Sequence, residues 1–194
     1  VSLDACADGF VPEKRDDNTY GVKEGSVSGA IIERDGATLS YATVQEAITA
    51  AQTGETVRLM QDISTGAAIV VDKTITLDLN GKTITSTADT AVKVDTSGVT
   101  LTIKGGTVNN STSASGEAVT LWARQGEIVV TGGIFINKSN KEATVYAGTP
   151  ASDAAATVTI NGGTFKNLAE GEYAYGGGRP LTLNVANGKS NASI

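Results

Sequence analysis

With 194 residues the chain is long enough to bury one substantial core, or two small ones. Its 15 basic and 21 acidic residues leave a net charge of −6, which argues against nucleic acid or an anionic membrane as a partner. There is no histidine and a single cysteine, Cys6, so the commonest general base and metal ligand, an internal disulfide and a cysteine-built zinc site are all unavailable.

The first 29 residues are the least regular part of the chain. The stretches Cys6–Pro12 and Asn18–Val22 flank a charged turn, and they read as a small β leader. Asp16, Asp17 and Asn18, followed by Gly21, are a cluster of oxygen donors of the kind that can hold calcium. Their spacing is not that of a calcium loop, so a solvated turn is the simpler reading. No other cofactor or metal site is expected.

From Ala30 to Tyr41 the sequence reads as a hairpin, with Asp35-Gly36 as a two-residue turn. Thr43 and Glu46 then form a capping box, Val44, Ala47, Ile48 and Ala51 make an apolar stripe, and Gly54 stops the helix. A helix over 43–53 placed just before a strand stack is the expected lid, because the first coil of a solenoid exposes apolar surface and unpaired strand edges. The division expected is a leader and hairpin over 1–36 and a solenoid with its capping helix over 37–194.

Four related phrases follow: Ile75–Ile84, Leu101–Val108, Ile128–Phe135 and Val158–Phe165. Each is an alternating strand, a glycine corner and a second short strand. Their marker glycines, Gly81, Gly105, Gly132 and Gly162, are 24, 27 and 30 residues apart, a spacing that suits a solenoid built of strands. Alternation puts Ile75, Leu77 and Leu79 on one face, then Val99, Leu101 and Ile103. Aligning the glycines predicts that Leu79, Ile103, Val130 and Ile160 form one vertical file. It also predicts an inward column of Ile84, Val108, Phe135 and Phe165. Two positions later come Ser86, Asn110, Asn137 and Asn167, and the three asparagines suggest a ladder of stacked amides bonding to one another.

A second strand family, at Ala91–Val94, Ala118–Ala123 and Ala143–Ala147, leads through short polar links into the next phrase. These spacings leave no room for a crossover helix. They predict an all-β, single-stranded parallel β-helix of five coils, with strands about 4.8 Å apart along the stack. The sequence here resembles the right-handed, pectate-lyase-like β-helix family. More narrowly, it is similar to the short β-helix modules of surface proteins from Gram-positive gut bacteria. The likeness runs from Ala37 to Asn187, and stretches similar to "CADGF…TYGV" precede such modules. It implies a right-handed coil and a secreted or cell-surface bacterial protein. Val1 and Ile194 would then be the ends of a processed or trimmed fragment.

Enzymes of that family act on acidic polysaccharides with clustered carboxylates. Here the outward Asp78, Lys93, Asp95, Lys104 and Arg124 are spread over several coils, and no carboxylate pair recurs as two-carboxylate chemistry needs. A column of aromatics stands out instead. Trp122 points outward, Tyr146 takes the same place one coil later, and Tyr173 or Tyr175 the next, with Asp95 below Trp122 and Arg124 beside it. Such a strip suits a glycan or a protein partner. The bland alternative is that the leader, with Phe10 and Tyr20, covers it. The expected function is a non-catalytic structural or adhesive module, not an enzyme, with oligomerisation open through an uncapped C-terminal end. A polysaccharide lyase or glycoside hydrolase, or its carbohydrate-binding part, is the alternative.

Overall fold

The computed structural model describes residues 10–14, 19–24, 28–112, 118–139, 142–148, 156–168 and 183–185. Cys6, the Asp16–Asn18 cluster, Tyr173 and Tyr175 lie outside them, as does the end of the chain.

Strands β1 (Phe10–Lys14) and β2 (Tyr20–Glu24) pair antiparallel in a sheet of their own. The predicted hairpin is β3 (Ala30–Arg34) and β4 (Ala37–Tyr41). Asp35 and Gly36 at its tip both have positive φ, 51° and 77°, as a type I′ turn requires. Helix α1 (Val44–Ala50) opens on the complete capping box: Thr43 accepts from the Glu46 amide, and Glu46 accepts from the Thr43 amide.

The solenoid then begins. Its first coil is β5 (Thr56–Leu59), β6 (Ile63–Thr65) and β7 (Ile69–Val71). The second is β8 (Ile75–Asp78), β9 (Thr83–Ser86) and the start of β10 (Thr90–Lys104). The far half of β10 opens the third coil, which continues through β11 (Thr107–Asn110) to the start of β12 (Val119–Val130). The fourth adds β13 (Ile134–Asn137) and β14 (Val145–Ala147). Beyond them lie β15 (Ala156–Ile160), β16 (Thr164–Asn167) and β17 (Leu183–Val185).

Each strand pairs in parallel with its counterpart one coil away, giving three faces. The first stacks β5, β8, β10, β12, β15 and β17, the second β6, β9, β11, β13 and β16, and the third β7, β10, β12 and β14. This is a parallel β-solenoid of about three turns. Against the five expected coils, the second face stacks five strands and the third face four among the described residues.

Aliphatic side chains fill the shaft. Ile84, Val108, Phe135 and Phe165 form the predicted column, with the two phenyl rings stacked at 5.1 Å. The other predicted file needs a correction. Ile103, Val130 and Ile160 stand in line, but the residue in register with Ile103 is Leu77. Leu79 is buried at the corner instead, because the first phrase carries a longer corner. There Lys82 N–H donates back to Leu79 O, and Asn80 and Gly81 both have positive φ.

The base of the stack is closed by two devices. β3 runs antiparallel along β5, so the first strand has a neighbour. The apolar face of α1 (Val44, Ala47 and Ile48), with Ala51 at its C-cap, enters the core cluster. Arg34 ties these parts together. Its Nε and Nη2 bond both Glu55 oxygens at 2.6 and 2.7 Å, and Nη2 also reaches Ala50 O. The Arg34 hydrogen bonds, then the Gln52 amide, hold the Glu55 carboxyl down from its usual 4.5 to about 2. A depressed acid stabilises the fold fully above its unfolded value and loses that contribution as pH falls through the folded one. Melting temperature should therefore drop more steeply for the native chain than for Glu55→Gln between pH 4.5 and about 2. Parallel curves would show that the pair contributes nothing.

Candidate functional site

On the third face, β14 lies in parallel register on β12, which puts Tyr146 directly opposite Trp122 as the repeat predicts. Both are half-buried rather than free-standing. The rings meet edge to face, with centroids 5.6 Å apart and planes at 74°. The Trp122 indole N–H donates to Gly148 O at 2.9 Å. The Arg124 guanidinium stands 5.0 Å from the indole centroid, and its Nη1 donates to Asp95 Oδ2 at 2.8 Å. Edge-to-face rings contribute roughly 0.5–1.5 kcal/mol beyond area burial, and an exposed cation–π contact about 0.5–1 kcal/mol. The strip is thus a pre-ordered cluster, not a row of independent rings.

The group beneath Trp122 differs from the expectation. Lys93 is in register with Trp122, whereas Asp95 is opposite Gln125. The Lys93–Trp122 pairing belongs to the regular part of the ladder, two residues before Asp95, and the break in register at Val94/Asp95 only moves Asp95 from opposite Arg124 to opposite Gln125. Asp95 therefore serves Arg124 and does not sit below the ring. Lys93 has no ion-pair partner among the described residues and is the strip's available cation. Its outward position was legible from alternation, but its place under Trp122 was not. One further oddity marks the cluster: Arg124 Nε is buried and has no hydrogen-bond partner among the described residues.

No protein-family model, curated protein or solved structure matches this chain.

The outward carboxylates are occupied. Asp78 Oδ2 lies 3.4 Å from both Arg58 and Lys104, and its Oδ1 accepts from the Asn80 amide. Glu127 accepts from Thr100 and Thr159 on the coils either side. Among the described residues no three acidic or cysteine side chains gather as a metal site would require.

The three asparagines stand in register as predicted, yet their amides do not bond one another. Asn110 Nδ2 donates to Ala88 O and Val119 O, and its Oδ1 accepts from Thr112 N. Asn137 Nδ2 donates to Ala118 O at 2.6 Å and to Glu142 O and Ala143 O, while Oδ1 accepts from Ser139 N. Asn167 reaches Ser139 O on the coil before. The Asn110 and Asn137 carboxamides each close their own turn and tie it to the previous coil, and Asn167 ties to the previous coil, because the turn carbonyls point into the corner and meet the carboxamide first. Asn137→Ala should cost roughly 1–3 kcal/mol, the range for leaving buried polar groups unmet. Asn137→Asp should cost more, since it sets a carboxylate against three carbonyls. Urea midpoints measure both, and an aspartate variant as stable as the native chain would refute the assignment.

Proposed function

We propose that the chain is a non-catalytic structural or adhesive module of a secreted or cell-surface bacterial protein, of the kind that pectate-lyase-like β-helices resemble. The observation that supports this best is the third-face cluster. Trp122, Tyr146 and Arg124 are residue types that anchor interfaces, and here they are held in place before any partner arrives. Pre-ordering lowers the entropy cost of binding.

Retention on mucin-coated wells tests the adhesive role. The native chain should be retained and Trp122→Ala should not. The variant should remain folded, losing roughly 2 kcal/mol with the indole hydrogen bond and ring contact. Periodate treatment of the mucin separates the two partner classes: lost retention indicates a glycan and undiminished retention a protein. Equal retention of both proteins would remove the strip from the function. A collapse in stability would make the cluster a packing device. Incubation with polygalacturonate and calcium tests the enzyme alternative, and a rise in absorbance from unsaturated product would overturn the non-catalytic reading.

A further inference from the structure

Among the described residues two corners of the solenoid carry Asn-Gly, at Asn80–Gly81 and Asn161–Gly162, and both asparagines are exposed. Sequence alone treats them alike, but the structure does not. Asn80 Nδ2 donates to Leu59 O at 3.0 Å on the coil before, its amide donates to Asp78 Oδ1, and its backbone is left-handed with φ 51°. At the other corner the Asn161 backbone amide donates to Val130 O. The Asn161 carboxamide and the Gly162 amide make no hydrogen bond to any described residue.

We propose that Asn161–Gly162 is a site of spontaneous deamidation and that Asn80–Gly81 is protected by the fold. The Gly162 amide nitrogen, having lost its proton to hydroxide, attacks Asn161 Cγ and forms a new C–N bond. The Cγ–Nδ2 bond breaks, and the nitrogen leaves as ammonia after taking a proton from water. A five-membered succinimide remains. Water opens it at one carbonyl to give aspartate, or at the other to give isoaspartate. The net change is gain of water and loss of ammonia, with no oxidant or metal involved. Glycine matters because it puts no side chain beside the attacking nitrogen and lets the backbone reach the required angle. At Asn80 the same attack must first pull the carboxamide from Leu59 O, and that bond should slow the reaction about five-fold, the net strength of one hydrogen bond.

The product is a built-in ageing mark. Aspartate adds one negative charge between β15 and β16. Isoaspartate adds a backbone methylene between Ile160 and Thr164, residues whose registers with Val130 and Ile134 define the stack at that level.

The test is peptide mass spectrometry on the folded protein held at mildly alkaline pH and body temperature. The tryptic peptides ending at Lys82 and Lys166 report the two sites separately. A parallel sample is held unfolded in urea. The expected result is deamidation at Asn161 about five-fold faster than at Asn80 in the folded chain, with the ratio collapsing toward one in urea. Equal rates in the folded chain, an intact Asn161, or the same ratio folded and unfolded would each overturn the proposal.

Discussion

Ile48→Asp should make the protein aggregate. Ile48 is fully buried under the base of the stack, in contact with the core cluster through the face of α1. A carboxyl group there loses the apolar burial and must be desolvated without a partner, together costing at least about 4 kcal/mol. Domains of this size are held by about 5–15 kcal/mol in total, so little stability would remain. The damage would not stay local. Once α1 lifts, the apolar cross-section and the β5 edge are open to other chains. Thr49→Asp, on the exposed side of the same helix, should change stability by only about 0.5 kcal/mol. Size-exclusion chromatography and thermal melting separate the two outcomes. A monomeric Ile48→Asp protein with native melting would show that α1 is not the lid.

Gly106→Ala should be nearly as damaging, and for a different reason. Gly106 has φ +70°, and a methyl group there would collide with Lys82 O and come within 2.6 Å of Leu79 Cβ. Both obstacles belong to the long corner of the previous coil, one of them backbone, so neither can move without shifting the stack. The left-handed backbone alone costs roughly 1–2 kcal/mol with a side chain, and the collision should bring the loss to about 3 kcal/mol. Gly81→Ala provides the contrast. It too has a positive φ, 72°, but nothing lies within 4 Å of its added methyl, so only the backbone term should appear. Urea unfolding that gives equal losses at the two positions would mean that the close approach does not matter.

The same corner shows where the sequence stops being readable. Alternation assigned the inward faces correctly because side chains on a strand repeat every two residues. Aligning Gly81 with Gly105, however, slipped the first phrase by two positions and placed Leu79 where Leu77 stands. A slip of one would have turned every apolar residue outward and exposed the error. A slip of two preserves parity, so Leu79 still points inward and nothing in the pattern objects. The Leu77–Ile103 register and the hydrogen bond from Lys82 to Leu79 reveal the additional turn. The candidate site follows the same rule. Trp122 and Tyr146 were legible as neighbours because the strands carrying them are regular. Lys93, not Asp95, pairs with Trp122 because the ladder's register there is two residues off the one expected, and a shift of two keeps the same outward face. The asparagine column was readable by position, but the direction of its bonds depended on turn carbonyls that no side-chain pattern encodes.

Those carboxamide ties have a mechanical side. A molecule made only of ladder bonds can be peeled under tension one coil at a time, each coil parting before the next is loaded. Asn110 and Asn137 each grip carbonyls on two consecutive coils, so separating neighbours requires stripping a side chain and the ladder at once. Force applied along the axis is then shared across the corner instead of travelling along one seam.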